Sequence, residues 1–292
     1  MQRVICINRH LLTVEEMKGI SSLEIYDEYR DEVQAIFRSR LLTQVLIALG
    51  SGSKPLSVLR EVTGSSSQAL IPKIRQLEAS HYVESVRGDY ALTSIGRMIE
   101  PEIERLVTLM GVLHRHRDFW IEHDVESIPP EYLRSLQQLY NAEVVRNVEE
   151  DVFAVYAAFL AILRRSSWIH SVSSVMSPFL ADAIKEAIFE GKPAELVVSR
   201  ELADRLAAAP YSTMLDSLQG NANFRIYVSP SPIRLGVTVT DGYLSLGLYR
   251  RDTDVYDISM DLIGTDEAAV TWGERLFQHY KATAQLLRIP GE

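Results

Sequence analysis

Residues 54–97 read KPLSVLREVTGSSSQALIPKIRQLEASHYVESVRGDYALTSIGR. Leu56 to Val62 has helical spacing, Thr63-Gly64 breaks it, and Ser65, Ser66 and Ser67 offer N-caps for another helix. Leu70, Ile74 and Leu77, spaced four and three, give that helix its buried face. Tyr82 to Val86 and Tyr90 to Leu92 read as short strands around the turn Arg87-Gly88-Asp89. Thr93 or Ser94 can cap the helix that follows. Helix, turn, helix, hairpin, helix is the order of a winged helix-turn-helix, which usually inserts one helix into a DNA major groove.

Upstream, residues 33–49 place Val33, Ile36, Phe37, Leu41, Leu42, Val45, Leu46 and Leu49 at helical spacing, and Gly50 stops the run. Pro55 suits a first-turn position. The expected DNA contacts are Ser66, Ser67, Gln68, Lys73 and Arg75 on the third helix and Arg87 at the wing tip. Gln can read adenine edges, Lys and Arg can contact guanine or phosphate, and a wing arginine can touch phosphate or enter a minor groove. Pro72 deletes one helical hydrogen bond and predicts a bent or irregular start to this helix. Small helical triplets with a hairpin also serve as protein–protein modules, so an adaptor that binds a protein partner is an alternative.

Downstream, Ile99, Ile103, Leu106, Met110 and Leu113 recur in steps of four and three. That heptad seam favours helix-on-helix packing, either in a homodimer or within the chain. A dimer would match the two-fold symmetry common in operators. Pro101 suits a restarted helix better than a helix interior. His114, His116 and His123 lie near Asp118, Glu122 and Asp124, but the i, i+2 spacing is poor for a metal and reads as a solvated connector. Two helices are expected around Glu131 to Leu139 and Phe153 to Arg165.

The rest alternates strand and helix, which is α/β order. Strands are expected at Ser167 to Val172, Glu195 to Val198 and Phe224 to Val228. Helices are expected at Phe179 to Phe189, Glu201 to Leu206 and Met214 to Leu218. Asp241-Gly242 is a strong hairpin turn. It sets Val239 opposite Leu244, Val237 opposite Leu246 and Leu235 opposite Leu248 on one aliphatic face. The other face pairs Gly236 with Gly247 between hydroxyl residues, an invitation for a helix or a ligand to approach closely. Thr265 can cap a final helix with Asp266 and Glu267 in its first turn. Ligands of open α/β sheets sit beyond the carboxyl ends of strands, which points to Ser171, Ser173, Arg200, Thr238 and Ser245.

The 292 residues fit one large domain or two ordinary ones. Net charge is −9, yet residues 30–100 hold nine Lys/Arg and seven Asp/Glu, a weakly basic head on an acidic body. No apolar run reaches the ~18 to 20 residues needed to cross a bilayer. The single cysteine, Cys6, and the lack of a secretory pattern predict a cytoplasmic protein without a thiolate metal site. No catalytic residue, cofactor or metal is expected, since GxSxG, Walker, GxGxxG and HExxH motifs are all missing. A hydrolase of phospholipase D-like shape is the enzyme alternative, prompted by His279-Tyr280-Lys281. The downstream aspartate and the second copy that such enzymes need are missing, and His279 reads as an exposed helical histidine.

The stretches IFRSRLLTQVLIAL (36–49), SSSQALIPKIRQLE (65–78), DFWIEHDVESIPPEYL (118–133), VTVTDGYLSLGLY (237–249) and YDISMDLIGTDEAAVTWGERLFQHY (256–280) carry a resemblance. Together they resemble archaeal winged-helix regulators of the methanogenesis-regulator type, with a filamentation-regulator middle domain. The likeness covers roughly residues 30 to 285. It implies a transcription factor with a DNA-binding head and an α/β regulatory body, and it brings no catalytic residues. The expected partners are double-stranded operator DNA, a second copy of the chain and an unknown effector. The expected fold is an α+β winged helix-turn-helix domain, a helical connector and an α/β regulatory domain with a mixed sheet, for which a non-catalytic phospholipase D-like shape is one form. Its boundaries are an extension at 1–22, the head at 23–98, a connector and dimerisation helix at 99–124, and the body at 125–292. Translation from Met17 is an alternative start.

Overall fold

The computed structural model describes residues 20–218 and 220–287, with two short strands, β1 (Cys6–Ile7) and β2 (His10–Leu11), that pair antiparallel. The expected extension at 1–22 and the alternative start at Met17 lie almost wholly outside the described residues. The chain divides into two compact units, Met1–Leu106 and Val107–Glu292.

The first unit begins with α1 (Ser22–Arg38) and α2 (Arg40–Gly50). The sequence pattern reads residues 33–49 as one helix, but Ser39 takes extended backbone angles and accepts a hydrogen bond from the Leu42 amide at 3.4 Å. A serine with a free side chain can end one helix and cap the next, which hydrophobic spacing does not register. A capping box between Ser21 and Glu24 starts α1 well upstream of the expected helix. Then come α3 (Leu56–Thr63), α4 (Ser67–Ala79), β3 (Val83–Val86) and β4 (Asp89–Leu92). Leu70, Ile74 and Leu77 of α4 are buried with Val45, Leu46 and Leu59, so one cluster holds the helical triplet together. Pro55 is the N-cap residue of α3 and lies just outside its first turn.

Helix α5 (Ser94–Arg115) follows in one piece, although Pro101 suggested a restart. The expected seam divides along it. Ile103 is buried in the core of the first unit with Ile99 packed against that core, while Leu106, Met110 and Leu113 are exposed.

In the second unit, α6 (Arg117–Glu122) and α7 (Pro130–Leu133) are short, and the expected helix to Leu139 ends in a 3-10 turn. Next are β5 (Glu143–Arg146), α8 (Ala154–Arg165), β6 (Ile169–Ser173), α9 (Pro178–Phe189), β7 (Ala194–Val198), α10 (Arg200–Leu206) and α11 (Tyr211–Ser217). The chain continues through β8 (Phe224–Val228), β9 (Leu235–Val239), β10 (Leu244–Leu248), β11 (Met260–Gly264), α12 (Glu267–Thr283) and β12 (Gln285–Leu286). Eight strands form one sheet in the order β12-β8-β7-β6-β9-β10-β11-β5. Strands β6, β7 and β8 run parallel, and the remaining pairings are antiparallel, so the sheet is mixed.

The β9–β10 hairpin has the register that Asp241-Gly242 dictates, Gly236 opposite Gly247 included. Its aliphatic face, Val237, Val239, Leu244 and Leu246, is buried with Trp272, Leu276 and Phe277 of α12. Gly273 permits that approach, since a Cβ there would lie 2.5 Å from Leu244 Cδ1. The N-cap of α12 is Asp266, which accepts from the Ala269 amide at 2.8 Å, and not Thr265. On the opposite face, Leu196, Val198, Ile226 and Val228 pack with Ile184, Ile188, Leu202 and Leu206 of α9 and α10. Among the described residues, no helix is long and apolar enough to cross a membrane.

Candidate nucleic-acid interface

Helix α4 is built to present its outer side. Ser66 accepts from the Ala69 amide at 3.3 Å and fixes the helix start, so its hydroxyl is spent on the cap. Turning 100° per residue from the buried line of Leu70, Ile74 and Leu77, the outward line runs through Gln68, Ala69, Pro72, Arg75 and Gln76, all exposed. Ser67 and Lys73 lie on the flanks and are half-buried, with Lys73 Nζ 3.5 Å from Gln76 Oε1. The expected reading face changes accordingly: Gln68 and Arg75 hold the centre, Lys73 moves to the side, and Gln76 joins. Helical angle alone could have found Gln76. Pro72 sits inside the helix on its exposed side, where the hydrogen bond it deletes faces outward.

The wing is tighter than its sequence suggested, because Asp89 belongs to β4 and pairs with Val86. Only Arg87 and Gly88 make the turn, with φ of 55° and 94°. A two-residue hairpin of this kind requires left-handed backbone at both positions, which suits Gly88 and burdens Arg87. The chain therefore holds an exposed arginine at the wing tip against its backbone preference. A further cation was not anticipated: Arg40 donates to the Thr63 carbonyl at 3.5 Å and to Ser65 Oγ at 3.4 Å, beside the start of α4. Tyr82 anchors the hairpin to α1 by donating to Glu32 at 2.7 Å, and burial first, then that partner, push its hydroxyl up to about 12.

In the second unit, three of the five expected ligand residues come together. Ser171, Thr238 and Ser245 form a row across β6, β9 and β10. Their hydroxyls are engaged: Ser171 Oγ donates to the Val237 carbonyl and lies 3.0 Å from Thr238 Oγ1, and Ser245 donates to Asp261 Oδ2 at 2.6 Å. The slot over Gly236 and Gly247 is filled by the Tyr256 side chain, whose hydroxyl would sit 2.1 Å from a Cβ on Gly247. Asp261 is buried, its Oδ1 lacks a hydrogen-bond partner, and burial pushes its carboxyl up to about 7. Burial, and then Asp261, raise the Tyr256 hydroxyl as well. Ser173 bonds within its own loop, to the Val175 carbonyl, and Arg200 is exposed at the first turn of α10.

Two histidines of the expected solvated connector are in fact interior. His116 is 5% exposed and His123 is fully buried. His123 lies 2.7 Å from the Phe119 carbonyl through Nδ1 and 3.1 Å from Asp257 Oδ2 through Nε2. Burial pulls Asp257 up, but hydrogen bonds from Ser259 and His123 outweigh it and hold the carboxyl below its usual range. No group of three or more metal-ligating side chains occurs among the described residues. His279 and Lys281 do not converge either: His279 lies 3.3 Å from Glu131, while Lys281 pairs with Glu195 on β7.

A winged-helix head joined through one helix to an α/β body with a mixed sheet defines a class, the two-part regulatory protein. Comparison makes this specific: the family described as "Methanogenesis regulatory protein FilR1, N-terminal domain" matches residues 30–111, and its "middle domain" matches residues 152–283. Over these two stretches the chain is similar to this family of archaeal regulators. The Methanogenesis regulatory protein FilR1 of Methanothrix harundinacea (strain 6Ac) is 27% identical over 253 residues, which cover 85% of this chain and 56% of that protein. The chain thus spans about half the length of the curated relative it matches. Among solved structures, TrmBL2, described as an archaeal chromatin protein with a novel mode of DNA binding, aligns over 89% of this chain and 100% of its own, with TM-score 0.39 and 15% identity. The phospholipase D family member Nuc from Salmonella typhimurium aligns over 51% of this chain and 98% of its own, with TM-score 0.38 and 13% identity. Both overlaps are loose and decide nothing about activity.

Proposed function

We propose that the chain is a transcription regulator that binds operator DNA as a homodimer and responds to a signal received by its body. The observation that bears most weight is the outer face of α4, where Gln68, Arg75 and Gln76 stand exposed beside a wing with Arg87 at its tip. Amides that can pair with adenine and guanidinium groups that can pair with guanine or phosphate are the chemistry of major-groove reading. Support for a dimer comes from two unpartnered apolar faces: Tyr26, Tyr29, Val33 and Phe37 along α1, and Leu106, Met110 and Leu113 along α5. Exposed apolar side chains lined up on one side of a helix are the kind of surface that a second copy can cover.

In this reading the protein is not an enzyme, because His279 and Lys281 each serve a separate acidic neighbour. Ser245 holds Asp261 within the sheet, with Ser171 and Thr238 in the same row; Ser173 ends β6, Arg200 follows β7, and the cytoplasm is the site of action. The test is fluorescence anisotropy with duplexes from upstream of the protein's own gene, at two salt concentrations. Arg87→Ala and Arg40→Ala are each expected to flatten the log–log salt slope by about 0.9 for every DNA phosphate that the arginine neutralises. Gln68→Ala and Arg75→Ala are expected to cost about 1 to 3 kcal/mol on the preferred duplex and little on random DNA. Equal binding to both DNAs by the parent and all variants rejects the reading.

A further inference from the structure

We propose that the cleft between the α5–α6 corner and the edge strand β5 is a binding site for an oxyanion, the phosphate or carboxylate group of a small molecule. The cleft measures about 630 Å³, within the ~300 to 1,000 Å³ range of small-molecule sites. The inference rests on the proposed signal-receiving role of the body and names the chemistry of what it receives.

Charge singles this place out. Residues 107–292 hold seventeen Lys/Arg against twenty-five Asp/Glu. The cleft reverses that balance, with Arg115, Arg117, Arg146, His114 and His116 facing only Asp118 and Glu143. Three guanidinium groups from three elements, α5, α6 and β5, make planar forks that match a carboxylate or phosphate better than a halide. These cations are loosely held. Arg146 meets Asp118 at 3.4 Å on two well-exposed side chains, and Arg115 lies 5.7 Å over the Tyr140 ring. Arg117 and His114 have no partner among the described residues. Pairs this exposed are worth little, so an incoming anion displaces Asp118 at small cost.

The second observation is His116. It lines the cleft and is 5% exposed, and its Nε2 is buried without a hydrogen-bond partner. Burial first and Arg115 next lower its pKa, against the pull of backbone groups of Tyr140 and Leu139 and of Glu143. An anion in the cleft gives a protonated Nε2 an acceptor and raises its pKa. Binding therefore takes up a proton and tightens as pH falls. The groups facing His116 are His114, Arg115, Arg117 and Asp118 on its own side and Tyr140, Glu143 and Arg146 across the cleft. His114 lines the same cleft, so the two histidines are separated by substitution.

The experiment is isothermal titration of the full chain with inorganic sulfate, which does not titrate near neutrality, and with citrate. Chloride is adjusted to hold ionic strength constant, and two buffers of different ionisation heat count protons. Expected are saturable binding that is about tenfold tighter at pH 6 than at pH 7.5, and uptake of about one proton. Arg117→Ala with Arg146→Ala is expected to weaken binding tenfold or more, and Asp118→Asn to tighten it. His116→Gln is expected to remove the proton uptake, whereas His114→Gln keeps it. Binding no stronger than chloride, or unchanged by the arginine pair, overturns the site, and proton uptake that survives His116→Gln overturns the role of His116. A parallel arm repeats the DNA titration with saturating sulfate at fixed ionic strength. Failure of DNA binding in every condition rejects the regulator reading while the anion result stands alone. Loss of DNA affinity on Arg117→Ala, without loss of sulfate binding, assigns the cations to DNA phosphate and overturns the small-molecule site.

Discussion

Replacing Asp261 by asparagine should stabilise the body at alkaline pH and leave it little changed in acid. Burial lifts this carboxyl from its ordinary 3.8 to about 7 in the folded protein. The folded state therefore prefers the protonated acid. That stability is fully present below the unfolded pKa, falls as pH rises from about 4, and is lost by the time pH has passed through about 7. A rise of a little over three pKa units corresponds to about 4 kcal/mol in full, of which about 3 kcal/mol falls between pH 4.5 and pH 8. Asparagine keeps an acceptor for the Ser245 hydroxyl but never ionises. The stability difference between variant and parent should thus shift by about 3 kcal/mol toward the variant between those two pH values. The assay is urea unfolding followed by tryptophan fluorescence. Trp120, Trp168 and Trp272 are the only tryptophans of the chain and all belong to the second unit, so the signal reports the body alone. A difference that is the same at pH 4.5 and pH 8 refutes the reasoning.

Gly273→Ala should cost the body about 1 to 3 kcal/mol by the same assay, because the new methyl meets Leu244 and Val239 in a filled core. His123→Gln should cost about 3 kcal/mol by breaking the fully buried pair with Asp257 that joins the end of α6 to the loop before β11. Ser66→Ala removes the cap of α4 at a cost of about 1 kcal/mol, read as roughly fivefold faster amide hydrogen exchange at Ala69 if local opening governs exchange.

The parts legible in sequence are those whose patterns are local. The spacing of Leu70, Ile74 and Leu77 and the turn at Asp241-Gly242 placed α4 and fixed the β9–β10 register residue by residue. What escaped depends on partners far away in the chain. Strand β5 is four residues of EVVR at a sheet edge, without a clean alternation, and it exists because β11 pairs with it. Strand β11 places Asp261 within an aliphatic run, and the tolerance for that charge comes from Ser245 on the neighbouring strand. His123 looked like a surface residue because its acidic partner lies 134 positions away. In the candidate interface the residue types were legible, but not how they divide between face and flank. Lys73 and Gln76 exchange weight once the buried line of α4 is known.

The account stands or falls on whether the exposed face of α4 reads a base sequence. Selection from a pool of random duplexes by the full chain, and in parallel by the Gln68→Ala, Arg75→Ala double variant, measures this directly. The account predicts enrichment of a two-fold symmetric sequence by the parent, with loss of preference at matched positions in both half-sites for the variant, while weak binding to unselected DNA persists. No enrichment by the parent, or the same enriched sequence from parent and variant, contradicts it.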